Sequence, residues 1–138
     1  MEAFREEERT SEEIRKLQSA GVHVIASFHN FDRTPDREEL IRRLTRMQEM
    51  GADVAKIAVM PQSREDVMTL MEATMEADHS LDIPVVTMSM GRLGVLSRLA
   101  GTLTGSAMTF ASVGEASAPG QMGVNDLSTV LDLLHKAM

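Results

Sequence analysis

One lysine stands alone in an apolar run. Residues 54–61 read Val-Ala-Lys-Ile-Ala-Val-Met-Pro, with Lys56 the single charge. On a buried strand, period two sets Val54, Lys56, Ala58 and Met60 on one face. Desolvation disfavours an ammonium, and the neutral amine is the form that condenses with carbonyl compounds. The plainer reading is a lysine whose head snorkels past the strand end or meets a carboxylate. Other residues with chemical capacity fall near the ends of apolar runs. They are His29 in Ser27-Phe-His29-Asn-Phe31, the segment Met88-Ser-Met90-Gly91 followed by Ser97-Arg98, and Ser117-Ala-Pro-Gly-Gln121. A histidine exchanges protons near neutral pH, and a guanidinium fork suits a carboxylate. Each also has a structural reading: a packed histidine, a surface arginine, a simple turn at 117–121. The four histidines, His23, His29, His79 and His135, lack metal-site spacing. His23 is expected packed or hydrogen-bonded in its strand, and His79 and His135 solvent-facing on helices.

These residues need a scaffold. The chain has 138 residues, 43% hydrophobic and 25% charged, enough for one domain with a core. A net charge of −7 argues against nucleic-acid or anionic-membrane partners. Cysteine is absent, which removes disulfides and thiolate chemistry and suits a reducing compartment. Residues 1–16 are too charged for a signal peptide and no run is long enough to span a bilayer, so the expected location is cytoplasmic. Twelve methionines supply soft packing for a core or a pocket.

The pattern reads as a lead-in helix over residues 1–21, then four strand-helix units over 22–138, all in a single domain. Thr10-Ser-Glu-Glu13 has the form of a capping box. The expected strands are 22–28, 54–60, 85–90 and 106–113, with His29 at the end of the first. Between them, Pro35 opens one helix at its first position, Ser63 caps a second, a short helix covers 95–100, and Asn125 caps the last. Strict alternation of strand and helix implies an α/β fold with parallel strands. A small open sheet and half of a (β/α)8 barrel both suit four units. Polar residues at strand ends (His29, and the segment of Arg92 and Arg98) lean towards the barrel, whose chemistry sits there.

Four motifs in one order make the pattern specific: S-F-H-N-F-x-x-T-P, K-I-A-V-M-P, T-M-S-M-G-x-x-G-x-x-S-R and S-A-P-G-Q. From about Val22 to His135 the chain resembles type I 3-dehydroquinate dehydratase, a Schiff-base lyase of the shikimate pathway of aromatic amino acid biosynthesis. The resemblance implies that these units correspond to the second half of a (β/α)8 TIM barrel, the family's first four strands having no counterpart here. It implies that Lys56 forms an imine with the ketone of 3-dehydroquinate and that His29 is the general acid and base. Arg98 then holds the substrate carboxylate, Ser117 and Gln121 bind hydroxyls from a closing loop, and Met88, Met90 and Phe110 line the pocket. No metal or cofactor is implied.

The sequence departs from the family in two places. His29-Asn30-Phe31 replaces the usual H-D-F, which drops a charge beside the base. The glutamate and arginine residues that the family's first strands supply have no replacement in residues 1–21. Half a barrel also exposes two sheet edges and inner-face residues such as Ile25, Ala58, Met88, Met108 and Phe110. The expected partner is therefore a second copy, as a homodimer or larger homo-oligomer, or a complementary half-barrel.

Overall fold

The computed structural model describes residues 2–138, with side chains from Glu6 onward. Helix α1 (Glu2–Ser19) leads in, and strand β1 (Ile25–Asn30) follows. Helix α2 (Arg37–Glu49), strand β2 (Val54–Val59), helix α3 (Arg64–Ser80) and strand β3 (Val85–Ser89) come next. A 3-10 turn (Val95–Arg98), a one-turn helix α4 (Gly101–Thr104) and helix α5 (Val124–Ala137) complete the order. The three strands form one parallel sheet in the order β1-β2-β3.

Both faces of β2 are used. Ala55, Ile57 and Val59 point towards α2 and α3 and pack with Leu40, Leu44, Leu70 and Ala77 in the main core. The opposite face carries Val54, Ala58 and Met60, clustered with Val86, Met88, Met90 and Phe110. This is the period-two split expected from the sequence. Asp36 caps α2 by accepting from the Glu39 N–H, so Pro35 lies one residue before the cap and not inside the helix. Ser63 caps α3 as expected, accepting from Asp66 N–H, while the Asp66 carboxylate takes the Gln62 N–H.

Several expected boundaries move, each for a local reason. Thr10 does not cap α1: the helix runs through it, and its hydroxyl donates to the Glu6 carbonyl at 2.8 Å. The strong helix formers before it let the helix continue. Strand β1 starts at Ile25 and not at Val22, because the Val24 N–H is taken by the Asp53 carboxylate at 2.7 Å. Gln18 of α1 also donates to Asp53, at 3.2 Å. The Val24 bond, then the Gln18 bond, hold the Asp53 carboxyl below its ordinary pKa. β1 also runs past Phe28 to Asn30, so His29 sits within it, one residue before its end. His23 is neither packed nor in a strand; it is exposed, 3.8 Å from Asp53. Gly123, not Asn125, occupies the cap of α5, and Asn125 falls in its first turn.

The expected fourth strand, 106–113, is not a hydrogen-bonded strand. The segment meets β3 at its start, where Ala107 N–H reaches the Val85 carbonyl at 2.8 Å. The next ladder position is taken by a side chain, as the Ser106 hydroxyl accepts the Thr87 N–H at 3.0 Å. At its far end Ser112 forms an isolated bridge with Gly123. The expected inner-face exposure also divides. Ile25 and Met108 are each 44% exposed, whereas Ala58 and Met88 are buried by their own cluster.

The turn after β3 is built on close backbone contact. A Cβ on Gly94 would stand 1.9 Å from the Ser89 carbonyl oxygen. Ser97 locks that turn, accepting the Ser89 N–H at 2.9 Å and donating to Gly94 at 2.6 Å. Arg98 follows directly, so its placement rests on this contact. Gly94→Ala should therefore lower unfolding free energy by about 1 to 3 kcal/mol through overpacking. An unchanged denaturation midpoint would show that the turn can open at no cost.

Candidate active site

Parallel register places the chemistry. Lys56 lies opposite Ser27 and Val86, and His29 opposite Ala58, which in turn faces Met88. Lys56 and His29 are thus one strand and two residues apart on one face, roughly 8 Å between Cα atoms from the strand spacing and rise. Lys56 is half-buried and not enclosed as the run suggested, because only the outer face of β2 is covered by helices. Its Nζ stands 4.5 Å from the centroid of the Phe110 ring, a cation–π distance.

His29 is on β1, the edge strand, and its ring stacks on Phe31 with centroids 5.9 Å apart and planes 8° from parallel. Partial desolvation, and then the charge of Lys56, hold the imidazole below its ordinary pKa. Asn30 turns the chain after it: its carboxamide oxygen accepts the N–H groups of both Asp32 and Arg33 at 3.0 Å.

One cleft of about 300 Å³ is lined by Lys56, His29, Met88, Met90, Phe110, Ser117 and Gln121. Seven of the eight residues expected from the sequence therefore converge. Phe31, Ala58 and Ala118 also line it; the sequence reading placed Ala58 on this face without a site role and did not single out Phe31 or Ala118. Phe31 was inside the quoted motif, two residues beyond His29; Ala58 shares the face of Lys56. Ser117 and Gln121 bond each other directly. The Gln121 side-chain oxygen accepts the Ser117 N–H at 2.9 Å, and its amide nitrogen donates to the Ser117 hydroxyl at 3.0 Å.

Arg98 is the exception. It does not line this cleft but stands behind it, 4% exposed. One terminal nitrogen donates to the Pro119 carbonyl at 2.8 Å, and the other lies 3.5 Å from the Met88 sulfur. Its Nε has no partner among the described residues, nor does any carboxylate pair with it there. Burial pushes its pKa down. Among the described residues no group of three or more His, Cys, Asp or Glu side chains converges as a metal site. No described helix is long and apolar enough to cross a membrane.

The sequence profile of the type I 3-dehydroquinase family matches residues 1–138. A 3-dehydroquinate dehydratase of Listeria welshimeri is 52% identical over 136 residues, covering 99% of this chain and 54% of that protein. One from Escherichia coli is 49% identical over 138 residues, covering 99% and 55%. Among solved structures, 3-dehydroquinate dehydratase from Geobacillus kaustophilus superposes with a TM-score of 0.91 at 46% identity, over 94% of this chain and 50% of that one. The type I enzyme from Clostridium difficile, solved with covalent modified comenic acid, gives 0.90 at 48% identity, over 96% and 52%. The chain spans about half the length of the relatives it matches. Its parallel strands and helices are the arrangement of half a (β/α)8 barrel.

The electrostatics of the cleft can be checked directly. In an NMR titration, the His29 ring should change protonation below the pH at which a free imidazole does. The neutral base then persists to lower pH. Stability tied to this group is complete above the free-imidazole value and falls as acid is added through the lowered one. Lys56→Met removes one cause and should move the midpoint upward. A midpoint that stays put in that variant would remove Lys56 from the field at His29.

Proposed function

The chain belongs to the type I 3-dehydroquinase family, and from that premise we propose that its cleft is the imine-forming part of a 3-dehydroquinate dehydratase. The reaction is the dehydration of 3-dehydroquinate to 3-dehydroshikimate in the shikimate pathway. The observation that carries the reading is the meeting of Lys56 and His29 in one cleft with the Ser117–Gln121 pair. In this account the Lys56 amine adds to the substrate ketone and water leaves, giving an iminium. The iminium draws electrons better than the ketone, so a proton on the adjacent carbon is lost to His29 as an enamine forms. The enamine expels the β-hydroxyl, which takes a proton from the His29 imidazolium and departs as water. A further water then hydrolyses the product imine and restores the amine.

The neighbours follow from the substrate. Ser117 and Gln121 offer hydrogen bonds to hydroxyls, and Met88, Met90 and Phe110 exclude water around the imine. Arg98 neutralises the carboxylate. The reading calls for no metal and no organic cofactor, since the iminium is the electron sink. A cytoplasmic location fits a cysteine-free small-molecule enzyme.

A second reading, a half-barrel scaffold that assembles without turnover, is favoured by one observation. His29 lies on the open edge strand, and Ile25, Phe31 and Met108 around it remain exposed, at 44%, 59% and 44%. Both readings call for a homo-oligomer or a complementary half-barrel to cover that edge. In the first, the partner also brings the acidic group that orients the imidazole.

Borohydride reduction with 3-dehydroquinate separates the readings. The dehydratase reading expects a mass adduct on Lys56 that vanishes in Lys56→Met, together with turnover. An adduct without turnover marks an incomplete site, and no adduct leaves the scaffold. His29→Ala should slow turnover by roughly two to four powers of ten while some adduct still forms; unchanged turnover would take His29 out of its role. Light scattering after size exclusion should show a dimer or larger assembly, and a well-folded monomer would count against pairing.

A further inference from the structure

Arg98 is buried without an acid, and the one oxygen it reaches belongs to a loop. Placing a guanidinium at 4% exposure is unfavourable unless its donors are met. Of its five N–H groups, the well-made bond goes to the Pro119 carbonyl at 2.8 Å; the contact to the Met88 sulfur at 3.5 Å is weak, and Nε has none. The same carbonyl also accepts the Gly91 N–H at 3.2 Å, at the end of β3.

The loop is seated there by shape as well. A Cβ on Gly120 would lie 2.7 Å from the Gly91 oxygen and 3.0 Å from its nitrogen, and Gly120 has a φ of +82°. Backbone therefore rests on backbone, with Pro119 between two donors. On either side of this seat are Ser117 and Gln121, already bonded to each other.

We propose that Arg98 is a positioning residue for this loop: it latches Pro119 and so sets the Ser117–Gln121 pair over the cleft. The latch stands independently of the function proposed above. Losing the loop leaves a buried cation without an oxygen partner.

Hydrogen exchange on the ligand-free protein tests the latch. In Arg98→Met the amides of Gly91, Ser117 and the rest of 115–123 should exchange about tenfold faster or more, while those of α2 and β2 keep their wild-type rates. A purely structural role would loosen the core together with the loop. If Arg98→Met does not fold, Arg98→Lys, which keeps the charge and loses the fork, should show the same loop-confined acceleration. Wild-type loop exchange in either folded variant overturns the latch.

Discussion

The site depends on parallel register at the centre of the sheet. Once Lys56 pairs with Ser27 and His29 with Ala58, the amine and imidazole share a face at a separation that rigid strands enforce. A slip of one residue would send Lys56 into the core among Leu40, Leu44 and Leu70. The register is held from the other face, where Ala55, Ile57 and Val59 fill that core. Packing energy on the helical side thus fixes geometry on the open side. The helices contribute no cleft residue, but they determine where the cleft residues stand.

Charge is distributed with the same division of labour. The chain carries a net charge of −7, yet no carboxylate among the described residues lines the cleft. Most of the acids lie on the helices, where Arg37 pairs with Glu76, Arg43 with Glu39, and Arg46 with Glu7 and Glu49. These exposed pairs contribute little to stability. They neutralise helix arginines, one of which, Arg43, also lies over the Phe28 ring of β1 at 3.7 Å. The lowered pKa of His29 reflects partial desolvation first and then the charge of Lys56.

Much of this was readable from residue order. The alternation of elements, the two-faced pattern of β2 and the Ser63 cap follow from periodicity and turn chemistry, and seven of the eight site residues that the family resemblance implies line the cleft. What escaped were features set by tertiary partners. Nothing in 22–24 announces that Asp53, far along the chain, takes the Val24 N–H and delays the strand. The 106–113 segment has strand composition, but a serine side chain replaces a ladder bond beside β3. The covering of Lys56 was overestimated because an apolar run reports what a strand can bury, not whether a second layer is present. Arg98 was assigned a ligand role by its motif, while its bond to Pro119 depends on a loop whose path composition does not specify.

Asn30 has a consequence for how such a site is adjusted. Its side-chain oxygen takes two backbone hydrogens to close the bend after β1. That task asks only for an acceptor, and a carboxylate or a carboxamide supplies one equally well. Exchanging a single nitrogen for an oxygen alters the formal charge next to the imidazole and leaves the bend intact. An anion there would favour the imidazolium, and a neutral amide does not. Proton affinity and backbone architecture are thereby independent variables at this position, and a lineage can retune one without rebuilding the other.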